Sequence, residues 1–501
     1  MIALAVLASF AAFLPGDDPI HQSVLQAPLA QGSTGVGTEV AIDGDWLVAT
    51  SYESTSGSGV HVFRRSGGQW SWFAELGLGA GANFQQVDID GERLVVAQNS
   101  HSGGQVGVFV FDGSAWQLEQ LLTSSDGGGQ YFGKDASLDG DRLAVSSWGD
   151  PEDGEYGQVS IFERQGGQWL LVDPVHPNAG GCGFGYTVDL SGDWLVVTTL
   201  NAFLCGVGVP DFYERTANGW VWRQELTGMP AGLVALDGDL ALVGTNVLRN
   251  VAGVWTWEAG IPPGTGSGDY FGFDYDLEDG RLIYADSTAD GGQGATFVYE
   301  QIAGVWTQTA KLVATLPEAG GKLGSRVALS GDRVVTGCPP CGVASSGTPP
   351  GLIHVHLIPY APSSYCTAKP NSLGCVPAMG ATGTASATSA QPFLLTAAQV
   401  LNQKNGILIY GFGLAAVPFQ AGVICAGSPI RRTPLQSSGG APIGVNDCSG
   451  SFAFDMNAHV QSGIDPLLVP GVEVGAQYWY RDPADPFGSG LSDAIQFAVC
   501  P

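Results

Sequence analysis

The stretch Leu323-Gly324-Ser325-Arg326-Val327-Ala328-Leu329-Ser330-Gly331-Asp332-Arg333-Val334-Val335-Thr336-Gly337 decides the fold, because six other stretches share its grammar. They begin at Val36-Gly37, Phe84-Gln85, Phe132-Gly133, Phe184-Gly185, Ala231-Gly232 and Phe271-Gly272. Each reaches an x-Gly turn, and the turn glycines Gly44, Gly91, Gly140, Gly192, Gly238, Gly280 and Gly331 lie 42 to 52 residues apart. A repeat of that length is one supersecondary unit that buries its faces only by stacking on its neighbours. Asp precedes the glycine in five copies and Ser in two (Ser191, Ser330), between alternating apolar runs such as Val40-Ala41-Ile42 and Leu47-Val48-Ala49. That chemistry predicts a hairpin with a type I′ turn, in which both central residues take positive φ.

A third strand follows each hairpin, usually opened by glycine, as in Gly59-Val60-His61-Val62-Phe63 and Gly107-Val108-Phe109-Val110-Phe111. A tryptophan then leads a fourth strand: Trp70, Trp116, Trp169, Trp220, Trp255 and Trp306. The expected fold is all-β, a seven-bladed β-propeller of four-stranded antiparallel blades over residues 20–360. A long sandwich or an open solenoid is the competing reading. The seventh repeat lacks a tryptophan-led strand, whereas residues 22–29 precede the first hairpin without a blade of their own. The N-terminal segment is therefore expected to complete the seventh blade and close the ring.

The pattern Phe-Gly-x-x-Val-x-Leu-x-Gly-Asp-x-Leu-Val-Val resembles the FG-GAP repeat of integrin α-subunit propellers and of many secreted bacterial proteins. The resemblance implies a binding platform, with Ca²⁺ held in Asp-rich loops in some members. The segments that sit where such loops belong carry Asp150, Asp153 and Glu155, and Asp286 and Asp290, although neither keeps the full alternation of carboxylates a hard cation asks for. A solvated acidic surface is the alternative, and apart from calcium no cofactor is expected. His354 and His356 form an H-x-H, read as an ordinary exposed strand face because no third zinc ligand is identifiable.

Composition supports an exported protein. Met1 to Leu14 is continuously apolar and reads as the core of a signal peptide, without the usual basic n-region; a buried strand is the alternative. No other run is long enough to span a membrane. Nine cysteines suit an oxidising compartment. Cys182 with Cys205 and Cys338 with Cys341 are expected to staple propeller loops. The formal net charge is −28, and residues 361–501 carry only five basic and seven acidic side chains, so the preceding part holds −26. Such a field repels nucleic acid and anionic membranes and favours cations and basic partners.

The repeat grammar stops at Ile358-Pro359-Tyr360-Ala361-Pro362, and residues 361–501 read as a small β-sandwich. Tyr365-Cys366 through Cys375, Pro429-Ile430-Arg431-Arg432-Thr433, Asn446-Asp447-Cys448 and Gln477-Tyr478-Trp479-Tyr480-Arg481-Asp482 resemble a C-terminal module that recurs on unrelated secreted bacterial proteins, which implies an accessory or surface-association role. Its five cysteines allow fifteen arrangements of two pairs. The favoured one joins Cys366 to Cys375 and Cys425 to Cys448. No G-x-S-x-G, H-E-x-x-H or P-loop occurs. Two functions of different class follow. The first is a secreted or cell-surface, monomeric, non-catalytic scaffold with a protein or glycan ligand. The second is an extracellular hydrolase or lyase acting on polysaccharide, which a cluster of carboxylates with His, Arg or Tyr at the propeller funnel would favour.

Overall fold

The computed structural model describes residues 20–27, 33–53, 59–66, 68–78, 86–100, 103–124, 131–148, 157–178, 183–199, 209–229, 232–261, 273–302, 304–314, 323–339, 351–358 and 362–500. Two compact units divide the chain, His21–His356 and Leu357–Pro501.

In the first unit the described strands form seven sheets of four blade strands each, with Ser33–Thr34 adding a short fifth to one of them. The inner strands are Val40–Asp43, Gln86–Asp90, Phe132–Asp139, Phe184–Ser191, Val234–Asp237, Phe273–Glu278 and Arg326–Ser330, here blades 1 to 7. Each inner strand packs beside the next, and that of blade 7 packs beside that of blade 1, so the sheets close into a β-propeller. Apolar clusters fill the joints between blades, such as Val48, Val60, Leu94 and Phe109 between blades 1 and 2. The alternating apolar strands thus bury both faces of every sheet, which no single blade achieves alone.

The repeated glycines mark where blades touch backbone to backbone. Gly133 (φ +78°) and Gly185 (φ +82°) follow the buried Phe132 and Phe184 and press against the preceding blade: a Cβ on Gly133 would lie 3.2 Å from the carbonyls of Gln98 and Gln105. The glycine before a third strand meets the same crossing from the other side. A Cβ on Gly294 would lie within 3 Å of the Leu323 backbone, and Gly294 bridges to Leu323 as Gly351 bridges to Val36. Phe-Gly and strand-opening Gly are therefore two halves of one contact.

The tryptophans seal the outer part of each joint. Trp70, Trp116, Trp169 and Trp255 are buried, and Trp220 and Trp306 half-buried. Trp169 donates its indole N–H to Glu119 of blade 2 (2.9 Å), while its backbone exchanges two hydrogen bonds with the Gln120 amide. Gln224 and Trp255 repeat the amide clasp between blades 4 and 5, and Trp306 donates to Glu258 between blades 5 and 6. Removing such a ring from a joint is worth about 3–5 kcal/mol.

One expectation needs correction. Type I′ geometry holds only in blade 6, where Glu278 pairs with Arg281 and both Asp279 (φ 50°) and Gly280 (φ 71°) are left-handed. Elsewhere the turn aspartate is the last residue of the strand. Asp139 pairs with Arg142, and the two-residue loop is Gly140-Asp141, with positive φ at the glycine alone. That is the φ pattern of a type II′ turn, which also follows the strand twist. It leaves the aspartate side chain pointing out of the loop, free to bind elsewhere.

The second unit is a β-sandwich. A six-stranded sheet built on Asn405–Phe412, Glu473–Arg481 and Ser489–Ala498 faces a three-stranded one of Ala378–Thr382, Leu394–Val400 and Gly450–Asp455. Their core is shared, with the Phe452 and Tyr478 rings stacked 5.0 Å apart. The disulfides join Cys366 to Cys425 and Cys375 to Cys448, not the pairs close in sequence. Tyr365 Oη donates to the Cys425 carbonyl, which seats Cys366 beside Cys425, and Asn371 lies between Cys375 and Cys448, accepting from the Cys375 N–H and donating towards Cys448 Sγ. Cys338 is also disulfide-bonded. Met1 to Leu14 and Cys182, Cys205 and Cys341 lie outside the described residues.

The strand Ile20–Leu25 hydrogen-bonds beside Leu352–Leu357, so blade 7 joins the two ends of the propeller. Leu25 and Ala27 are buried with Val36, Ile42, Ile353 and Val355. A chain beginning at Gly32 leaves that strand edge open. Its melting temperature should fall by ~10 °C or more, or the protein should aggregate; thermal scans matching the longer chain would contradict the closure.

Candidate functional site: the central channel

The inner strands surround a cavity of ≈ 270 Å³. Blade 1 contributes Glu39, blade 2 Asp88, blade 3 Lys134 and Asp135, blade 4 Tyr186 and Asp189, blade 6 Asp274 and Asp276, and blade 7 Arg326, while blade 5 presents only Leu233, Val234 and Ala235. Asp274 and Asp276 lie two residues apart, on one face of their strand, as side chains of an extended strand alternate between its two faces.

Most of the aspartates bind backbone amides of two blades. Asp88 accepts from its neighbour Ile89 and from Leu138 of blade 3 (2.7 Å). Asp135 accepts from Ala136 and from Val188 of blade 4 (2.9 Å), Asp189 from Leu190 and from Leu236 of blade 5 (2.7 Å), and Asp276 from Leu277 and from Leu329 of blade 7 (2.8 Å). Asp274 accepts from Val327 of blade 7. Between blades 7 and 1 the link is an ion pair, Arg326 Nε to Glu39 Oε2 at 2.8 Å.

Below this layer lies a second ring, at the turns. The N–H of the first loop residue of each blade donates to the side chain that ends the inner strand of the blade before it. Gly91 donates to Asp43, Gly140 to Asp90, Gly192 to Asp139, Gly238 to Ser191, Asp279 to Asp237, Gly331 to Glu278 and Gly44 to Ser330, at 2.5–3.1 Å. Among the described residues the circuit of seven is complete. The turn aspartates were thus legible as turn residues, but their partners stand a whole repeat away and no local signal names them.

Burial in the ring raises the channel acids. Desolvation pushes Glu39, Asp189 and Asp276 up to about 7 and Asp135 up to about 6, against the opposing pull of Arg326 on Glu39, of Lys134 on Asp135 and of hydrogen bonds on the others. Asp88 and Asp274 move the same way for the same reason. Lys134 stands over the Tyr186 ring at 5.0 Å.

The residues singled out for metals fare differently. Asp286 is fully buried; its Oδ1 accepts from the Thr288 N–H and hydroxyl, and its Oδ2 has no hydrogen-bond partner among the described residues. Asp290 is paired with Lys311 at 2.8 Å. A calcium ion takes six or more oxygens, and no group of three His, Cys, Asp or Glu side chains placed to hold a metal ion is found among the described residues. Asp150, Asp153 and Glu155 lie outside the described residues. His354 and His356 are both buried, their rings stacked 6.3 Å apart, rather than on an exposed face.

In the sandwich Arg431 pairs with Asp465 (3.0 Å), which also accepts from Tyr410, whose hydroxyl contacts His459 Nε2. Asp482 instead receives the backbone and hydroxyl of Ser372, and Arg481 stands over Trp479.

No protein-family model and no curated protein matches the chain, so the resemblance to FG-GAP repeats, and that of the C-terminal module, rests on the quoted motifs. Among solved structures the chain is similar to BamB from Moraxella catarrhalis, at 11% identity over 68% of this chain and 99% of that one, with a TM-score of 0.39. It is also similar to the WD40 domain of Toxoplasma gondii coronin, at 11% identity over 69% and 89%, TM-score 0.42, and to Kluyveromyces lactis Hsv2, at 11% identity over 61% and 90%, TM-score 0.40. The propeller assignment itself stands on the closed ring of sheets.

If the Asp286 loop holds no cation, a chelator should leave the melting temperature unchanged within about 1 °C, whereas a ligand bound only by the native state would raise it. A fall of many degrees in a scan with excess chelator would contradict this.

Proposed function

We propose that this chain is an extracellular or cell-surface binding scaffold without catalytic activity, acting as a monomer, its propeller a rigid platform for a protein or glycan ligand and its C-terminal unit an accessory surface-association module. One observation carries the reading: Asp88, Asp135, Asp189 and Asp276 accept backbone amides through both oxygens, so the carboxylates that would serve a reaction are occupied in holding the ring. The disulfides are compatible with an oxidising location, and no helix among the described residues is long and apolar enough to cross a membrane.

Support for a platform comes from the hairpins between third and fourth strands. In blade 5 the tip carries exposed Val251 and Val254, with Trp257 further along, and in blade 6 exposed Ile302 and Val305. The two hairpins are held side by side, because Gln301 and Trp306 of blade 6 both donate to Glu258 of blade 5. The corresponding tip residues of blade 3 are Gln165 and Gln168. Adjacent exposed apolar tips on a rigid frame suit a docking surface.

The second reading, a polysaccharide hydrolase or lyase, draws on the same channel, because Asp189 and Asp276 pushed up to about 7 have the protonation state of general acids. One experiment separates the two. The purified chain is applied to arrays of extracellular proteins and glycans and incubated with soluble polysaccharides. We expect saturable binding that Val254→Asp with Val305→Asp weakens about tenfold or more, without product release. Turnover abolished by Asp189→Asn or Asp276→Asn would overturn the non-catalytic reading.

A further inference from the structure

The channel holds an imbalance that its hydrogen bonds do not remove. Six carboxylates from blades 1, 2, 3, 4 and 6 line one axial space with two cations, Lys134 and Arg326. Arg326 is engaged by Glu39, and Lys134 lies against Tyr186. Tyr186 and Tyr275 are the other titratable groups lining the space, and burial keeps Tyr275 well above its ordinary range. Blade 5 brings neither acid nor base. When all six acids are ionised, four negative charges stand uncompensated at the axis, where every blade meets, and like charges in a partly desolvated site repel more strongly than on the surface.

We propose that the central channel is an acid-tightened lock on the ring, in which proton uptake by the axial carboxylates draws the seven blades together in mildly acidic medium and ionisation loosens them in alkaline medium. This goes beyond the scaffold reading, since it concerns when the platform is rigid and holds whatever the ligand is. The lock does not break the ladder when it protonates: each carboxyl oxygen has lone pairs to spare, so the amides of Leu138, Val188, Leu236 and Leu329 keep their acceptors. What changes is the mutual repulsion across the axis.

The sign follows from linkage. Carboxyls that are raised in the folded ring and ordinary in the unfolded chain bind more protons when folded, so stability rises as pH falls through the folded value and levels off at the unfolded one. The window is set by Asp135 at about 6 and by Glu39, Asp189 and Asp276 at about 7 at its upper end, and by ordinary carboxyl values near 4 at its lower end.

The direct test is a carboxyl-carbon NMR titration of the full chain labelled at aspartate, with signals assigned by Asp189→Asn and Asp276→Asn. Midpoints for these two between 6 and 7 are expected; midpoints near 4 overturn the lock. The thermal counterpart compares the full chain with the Asp189→Asn, Asp276→Asn double variant and with a surface control, Asp45→Asn with Glu92→Gln. From pH 8 to pH 5 the full chain and the control should gain ~5 °C or more in melting temperature, and the double variant clearly less. Equal gains in all three would assign the effect to the acidic surface and overturn the proposal. Should the double variant fail to fold, the NMR midpoints of the otherwise unaltered chain decide alone, with the signal of Asp211, raised to about 6 outside the channel, removed by Asp211→Asn: three or more aspartate signals titrating above pH 5.5 support the lock and fewer overturn it.

Discussion

Everything in the propeller depends on one hydrogen bond made seven times. The side chain ending each inner strand accepts the amide of the next blade's turn, from Asp43 and Gly91 round to Ser330 and Gly44. A four-stranded sheet has no means of its own to fix the angle or height of its neighbour, because apolar packing is non-directional. A short acceptor aimed at a particular amide supplies both. The second tier repeats the constraint two residues before the strand end at Asp88, Asp189 and Asp276, and four before it at Asp135, so the inner strands of blades 2 and 3, 3 and 4, 4 and 5, and 6 and 7 are held at more than one height. The Phe-Gly crossing then needs no side chain at all, only the absence of one.

That architecture accounts for the charge. The residue after the turn glycine is also acidic in most blades, and it meets arginines of its own and the preceding blade: Asp141 faces Arg93 at 3.4 Å and Asp193 faces Arg142 at 3.6 Å and Arg215 at 3.9 Å. These exposed pairs contribute little individually. Together with the strand-end and channel acids they place close to half of the acidic side chains of residues 21–356 on one repeated local design, so much of the acidity here serves the joints between blades.

Much of this was legible in the chain. The blade period, the Trp-led fourth strand and the missing strand of the seventh repeat are local patterns, and each follows from steric or periodic rules that act within a few residues. What escaped was contact between repeats. Asp139 reads as a hairpin residue whichever way its side chain points, and only the register, with Asp139 opposite Arg142, moves it from the loop to the strand end. The same holds for Cys366, whose nearest cysteine in sequence is Cys375 but whose partner, 59 residues on, is brought in by the strand carrying Tyr365. The channel was invisible because its acids come from five blades and share no motif. Asp88, Asp189 and Asp276 occupy one position of the repeat, but Ala41, Ser137, Ala235 and Ala328 occupy it in blades 1, 3, 5 and 7, so the pattern has gaps.

The central claim is that turn amides facing solvent are nonetheless held by the blade before them. Amide hydrogen exchange at Gly140 and Gly192 tests it most directly, since both residues are exposed. The account predicts strong protection at both in the full chain, and in Asp139→Ala a selective loss at Gly192 with Gly140 unchanged. Exchange of Gly192 at the rate of an open loop in the full chain, or protection indifferent to Asp139, would contradict it.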